Sequence, residues 1–123
     1  MTGNKEISIQ IKEREIEPNE EVHGKIELDY YGRFDSIVIN SQIENSNDIF
    51  TYTQINEKKI NHSYARLSLL KKDLEEKNTI EFVAISQHLP SNEFSKVKFR
   101  TSIIQEHKEV ANDIIFIKII KKD

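Results

Sequence analysis

Near the start of the chain Ile7, Ile9 and Ile11 alternate with Ser8, Gln10 and Lys12. A two-residue apolar period marks a strand with one face buried and the other in water. The pattern returns with Val22, Gly24, Ile26, Leu28 and Tyr30, and again with Ile37, Ile39, Ser41 and Ile43. Between the first two strands, Pro18 presets φ for the first corner of a turn and Asn19 tolerates the left-handed second corner of type II. The stretch Asn45-Ser46-Asn47-Asp48 breaks the third strand, and a short strand is expected over Ile49 to Ile55.

At residue 63 the period changes. Leu67, Leu70 and Leu74 lie three and four apart, with Ser63 placed to cap the first turn and Asn78 just past the last, so residues 63–77 predict one amphipathic helix. A competing strand uses Ala65, Leu67 and Leu69. Alternation then resumes through Ile80, Phe82, Ala84 and Ser86, and through Val97, Phe99, Thr101 and Ile103. The run Asp113-Ile114-Ile115-Phe116-Ile117-Lys118-Ile119-Ile120 is nearly continuous in apolar residues, which predicts a central strand or one covered on both faces. Seven to eight closely spaced strands, one short helix and no βαβ rhythm predict a mostly-β fold, an antiparallel two-sheet β-sandwich of immunoglobulin type.

Composition sharpens this picture. Twenty Ile against three Ala favours pleated sheet over helix, and ten Asn against three Gly and two Pro leave the corners largely to asparagine. The 123 residues suffice for a single domain spanning 1–123. No apolar run is long enough to span a membrane and no leader-like segment opens the chain, so a cytoplasmic protein is expected. A net charge of −3 speaks against a dedicated nucleic-acid binder, and zero Cys excludes thiolate chemistry.

Three stretches together resemble the arrestin-like superfamily, in particular the N-terminal sandwich half of an arrestin. Residues Ile16-Glu17-Pro18-Asn19-Glu20-Glu21-Val22-His23-Gly24-Lys25-Ile26 are similar to its opening hairpin. Leu69-Leu70-Lys71-Lys72-Asp73-Leu74 before Ile80-Glu81-Phe82 resembles its single helix and the strand after it. Leu89-Pro90-Ser91-Asn92 before Val97-Lys98-Phe99-Arg100-Thr101 resembles its Leu-Pro-Ser corner. The resemblance implies a non-enzymatic adaptor or scaffold domain that binds a protein partner. It implies a small cluster of Lys12, Lys71 and Lys72 where the helix packs beside the first strand. Asn19 stands where the family has Gly, and the chain holds no counterpart of the second arrestin domain.

Catalytic chemistry finds little support in the sequence. His23, His62, His88 and His107 show no short metal-ligand spacing, no serine sits in a GxSxG elbow, and the three glycines are isolated. No catalytic residue, metal or cofactor is expected. Lys96, Lys98 and Arg100 share the outward phase of one strand and form a basic ridge. Strand addition is the binding mode expected of a sandwich with open edges. The expected acceptor is the first strand, Glu6 to Lys12, with Leu70 and Leu74 as its apolar wall; Lys12, Lys71 and Lys72 complete the candidate site. Two further readings are a module that self-associates as a homodimer through an edge strand, and a carbohydrate- or lipid-binding accessory domain using Tyr30, Tyr31 and Phe34.

Overall fold

The computed structural model describes residues 5–74 and 78–122. Ten strands form in chain order: β1 (Ile7–Ile11), β2 (Glu15–Ile16), β3 (Glu21–Leu28), β4 (Ser36–Ile43), β5 (Thr51–Ile55), β6 (Lys58–His62), β7 (Arg66–Leu70), β8 (Thr79–Ile85), β9 (Phe94–Gln105) and β10 (Lys108–Ile120). They build two five-stranded sheets, ordered β1-β3-β8-β5-β6 and β2-β10-β9-β4-β7. All described pairings are antiparallel except the two-residue contact of β2 with β10. The expected β-sandwich is the architecture found.

Alternation does the packing. Ile7, Ile9 and Ile11 of β1, Val22 and Ile26 of β3, and Val97 and Phe99 of β9 all turn into one core between the sheets. At its centre the Phe82 ring of one sheet meets Phe99 of the other at 6.0 Å between centroids, flanked by Phe50 at 5.1 Å from Phe99 and Tyr52 at 5.9 Å from Phe82. Phe82 stands directly across from Gly24 in the ladder, and a Cβ on Gly24 would lie 2.1 Å from that ring. Glycine is required there because the aromatic ring occupies the space a side chain would fill.

The turn at Pro18-Asn19 forms as expected: Asn19 has φ 71°, and the Glu20 N–H donates to the Glu17 carbonyl at 3.1 Å. Two expectations are corrected. Residues 63–77 do not form a helix; the chain makes strand β7 and then a single 3₁₀ turn, Lys71–Leu74, and positions 75–77 lie outside the described residues. Leu67 is buried, Leu69 half-buried and Leu70 exposed, which is the two-residue phase of Ala65, Leu67 and Leu69. Tertiary pairing with β4 overrides a helical spacing built from three leucines, one of which faces water. The second correction concerns β10, which lies next to the sheet's edge and leaves Ile114 41% and Phe116 51% exposed on its outer face.

The β9–β10 hairpin turns on Glu106 and His107, both at positive φ (49° and 67°). A two-residue loop with both central residues left-handed is a type I′ turn, whose natural occupants are Asn and Gly. Neither residue present suits that backbone, at a cost of about 1–2 kcal/mol per position. Replacing the pair by Glu106→Asn with His107→Gly is therefore expected to stabilise the fold by about 1–2 kcal/mol, read as a higher urea midpoint. An unchanged or lower midpoint would refute this description of the turn.

Candidate interaction surfaces

Lys12 is set apart from Leu70, Lys71, Lys72 and Leu74, which stand at the end of and just after an edge strand of the other sheet. Lys12 follows β1, where its N–H donates to the His23 carbonyl at 2.9 Å. Leu70 ends β7, an edge strand of the other sheet, with Lys71 and Lys72 exposed on the 3₁₀ turn beyond it. Leu74 is 4% exposed and belongs to the core, where it backs a cleft beside Lys71 and not the first strand. Around Lys71, a small cleft of about 280 Å³ is formed with Tyr30, Tyr31 and Phe34; the Lys71 ammonium sits 4.8 Å from the Phe34 ring centroid.

The first strand is indeed an edge, yet its edge is engaged. Lys12 bonds to His23 and the Asp29 N–H donates to Glu6, so the even-numbered residues of β1 face β3. Ile7, Ile9 and Ile11 consequently aim their amides outward. The Ile9 N–H donates to Asp113 Oδ2 of β10 at 3.0 Å, while Lys5 Nζ binds Asp113 Oδ1 at 3.0 Å. An extended segment pairing along β1 would have to displace this carboxylate. Glu13 makes a second clasp, accepting the His23 N–H at 2.8 Å and meeting its Nδ1 at 2.6 Å.

Sequence spacing concealed a third cluster. His88 is buried, with Nδ1 2.7 Å from Asp48 Oδ2 and Nε2 2.8 Å from Ser95 Oγ. The order is that of a charge relay, but Ser95 is 7% exposed and its hydroxyl is enclosed. A nucleophile must reach its substrate, and this one is packed at the root of β9. The His88 N–H also donates to Ser86 Oγ at 3.2 Å, and Ser86 donates to the Ile49 carbonyl at 3.0 Å. The network thus ties the β4–β5 loop to the β8–β9 loop. Its hydrogen bond to His88 holds the Asp48 carboxyl below its ordinary value. Only the three-dimensional loop geometry joins these positions, 40 and 7 residues apart.

The basic ridge is present on β9, enlarged by its neighbours. Lys96 and Lys98 point outward, and Arg100 pairs with Glu109 at 2.5 Å. On β10 the exposed Phe116 receives the Lys96 ammonium at 4.5 Å from its ring centroid, and Phe94 receives that of Lys118 at 4.4 Å. Each such contact is worth about 0.5–1 kcal/mol at an exposed site. Beside this face runs a groove of about 1060 Å³ between the β1–β2 connection and β10, lined by Ile11, Arg14, Phe94, Lys96, Phe116 and Lys118 among others. Among the described residues no three His, Asp or Glu side chains converge as a metal site would require. No described helix is long and apolar enough to cross a membrane.

No known family matches the chain, and no curated protein matches it in sequence. Solved structures do resemble it in fold. A human F-spondin reeler domain aligns with TM-score 0.61 at 12% identity, over 96% of this chain and 93% of that one. BslA, a bacterial hydrophobin, aligns at 0.57 and 13%, over 94% and 99%. A conjugative transposon lipoprotein from Bacteroides eggerthii aligns at 0.53 and 8%, over 94% and 98%. These likenesses show the sandwich alone. They overturn the arrestin resemblance: the neighbours are other sandwiches, and the helix on which one of its three stretches depended is a strand and a 3₁₀ turn. Pro-Asn and Leu-Pro-Ser corners answer to turn chemistry shared by many antiparallel sandwiches.

Two outcomes follow. Burial pushes the Asp113 carboxyl upward, but the hydrogen bonds from Ile9 and Lys5 outweigh it and hold it below its ordinary 3.8. A lowered carboxylate contributes stability that is complete above the unfolded value and lost as pH falls through the folded one. Asp113→Asn should therefore be less stable than the parent at about pH 6, with the gap closing by about pH 2 in urea titrations; a gap independent of pH would contradict the assignment. His88→Ala, which orphans Ser95, should cost about 1–3 kcal/mol in the same assay, whereas no loss would show that the loops are held by other contacts.

Proposed function

We propose that this chain is a non-enzymatic protein-interaction module. The observation that carries the reading is the outer face of β9 and β10, where Phe94, Ile114 and Phe116 are 41%, 41% and 51% exposed beside Lys96, Lys98 and Lys118. Solvent-facing aromatic rings framed by cations form an apolar anchor with a charged rim, the usual anatomy of a recognition surface. The enclosure of Ser95 supports a non-enzymatic reading, because the relay-like cluster it forms with His88 and Asp48 holds its hydroxyl away from solvent. Self-association through this face is disfavoured: stacking two copies would bring lysines against lysines.

The module reading is tested by affinity capture with the full chain in extract of its native cell, set against a Phe94→Ala and Phe116→Ala double variant. Both rings lie outside the core, so the variant should keep the parent's circular dichroism spectrum. A protein retained by the parent and lost by the variant is expected. Identical retention by the two, or retention by neither, would contradict the reading.

A further inference from the structure

The two sheets end in four edge strands, β1 and β6 of one and β2 and β7 of the other. Three of them are blunted. Asp113 caps the outward amide of Ile9 on β1, β2 is two residues long, and β6 carries Lys58 and Lys59 and a register shift in the ladder beside it. The fourth, β7, has no such device along Leu67, Ser68, Leu69 and Leu70, and it pairs with β4 without a shift. Its backbone phase is set at both ends. The Ser41 N–H donates to the Ala65 carbonyl at 3.0 Å and the Lys71 N–H donates to the Asp35 carbonyl at 2.9 Å, so odd-numbered residues face β4. Arg66, Ser68 and Leu70 consequently direct their amides and carbonyls away from the sheet.

Little stands on that side. The Arg66 carbonyl accepts from His62 Nε2 at 2.7 Å and keeps a second lone pair. Among the described residues no hydrogen bond reaches the amides or carbonyls of Ser68 and Leu70 from outside the sheet, and the elements packed closely against β7 are β4 and the 3₁₀ turn. The side chains suit a copy of the same strand. Laid antiparallel across a twofold axis through Ser68, two β7 strands set Ser68 opposite Ser68 and Arg66 opposite Leu70. No charge in this ladder meets its like, and Leu70, 46% exposed in the single chain, lies against the aliphatic stem of Arg66. On the inner face Leu67 comes opposite Leu69; the first is buried in the core and the second half-buried at its margin. That pair is not hydrogen-bonded, which brings its side chains close and extends the core of one sandwich into the other.

We infer that the occupant of this edge is a second copy of the chain, joined β7 to β7 about a twofold axis at Ser68. Each β2-β10-β9-β4-β7 sheet then continues into its mate. The inference goes beyond the interaction-module reading and does not depend on it. β4 stands between β7 and the β9–β10 pair that carries Phe94 and Phe116, so the dimer presents that face twice. A partner with two matching sites gains avidity from such an arrangement. One short strand from each copy makes a contact of the small class, under about 1,200 Å², so the dimer forms and parts reversibly.

Sedimentation equilibrium of the full chain from about 1 μM to about 1 mM tests the inference. A reversible monomer–dimer curve is expected; a monomer throughout would overturn it. Ser68→Pro deletes a donor that faces the axis without touching the β4 ladder, and Leu70→Lys sets a cation opposite Arg66. Each should raise the dissociation constant about tenfold or more. Leu70→Lys changes an exposed side chain only, so it reads the interface even where proline disturbs the strand. Combining it with Arg66→Glu turns the clash into an ion pair and should restore the dimer, whereas no recovery would refute this register. The chain has no cysteine, so Ser68→Cys supplies a single thiol that should oxidise to a covalent dimer, while Gln10→Cys on β1 should not. The Phe94→Ala and Phe116→Ala double variant should dimerise like the parent. Loss of its dimer would move self-association to the β9–β10 face and overturn the inference, and a monomeric parent would leave the module reading standing.

Discussion

The meeting of Phe82 and Phe99 between the sheets is the contact on which the rest of this molecule depends. It holds the two layers together at their centre, and it exists because Gly24 leaves its place in the ladder to the Phe82 ring. Around this point the isoleucines of β1, β3, β4 and β10 fill the interlayer space at every second position. A side chain that points inward fixes the phase of its whole strand, since a one-residue slip would turn every isoleucine out to water. The same phase decides which amides face which neighbour, so core packing also dictates what the sheet edges offer.

The edges are treated unequally. At β1 the outward amide of Ile9 is capped by Asp113 from the opposite sheet, which closes the corner of the sandwich where the chain crosses from one layer to the other. Glu13 and His23 clasp the crossing itself. Edge strands left bare invite pairing with other chains, and a carboxylate that accepts the central N–H blunts one of them. Across the same corner β2 ends after two residues, and upstream of them β10 is tied to β1 through Asp113 and not through a strand ladder. Exposed rings and lysine cations meet in one groove beside this short strand.

Much of the sandwich was legible in the alternation of Ile7, Ile9, Ile11 and of Val97, Phe99, Thr101, because one buried face imposes a period that survives without any alignment. The Pro18-Asn19 corner was legible because its backbone demands those residue types. What misled was the 63–77 segment. Leu67, Leu70 and Leu74 satisfy helical spacing, yet Leu70 is exposed at an edge and Leu74 reaches the core from a 3₁₀ turn, so their regularity has no common face behind it. Strand β6 carries Lys58, Lys59, Asn61 and His62 around a single Ile60, as a charged edge strand can, and leaves no apolar period to read. The ridge of Lys96 and Lys98 was visible in sequence; the rings beneath the lysines and the groove beside β10 arise from pairing between distant segments, which spacing along one chain does not express.

The claim that joins core to surface is that β10 upstream of Lys118 has a strand ladder on one side only, in a phase set by its buried isoleucines. Amide hydrogen exchange of the free chain, followed residue by residue by NMR, tests it most directly. Slow exchange at Ile115 and Ile117, which face β9, with fast exchange at Phe116 is the result this account predicts. Equal protection of all three amides, or protection in the opposite phase, would contradict it.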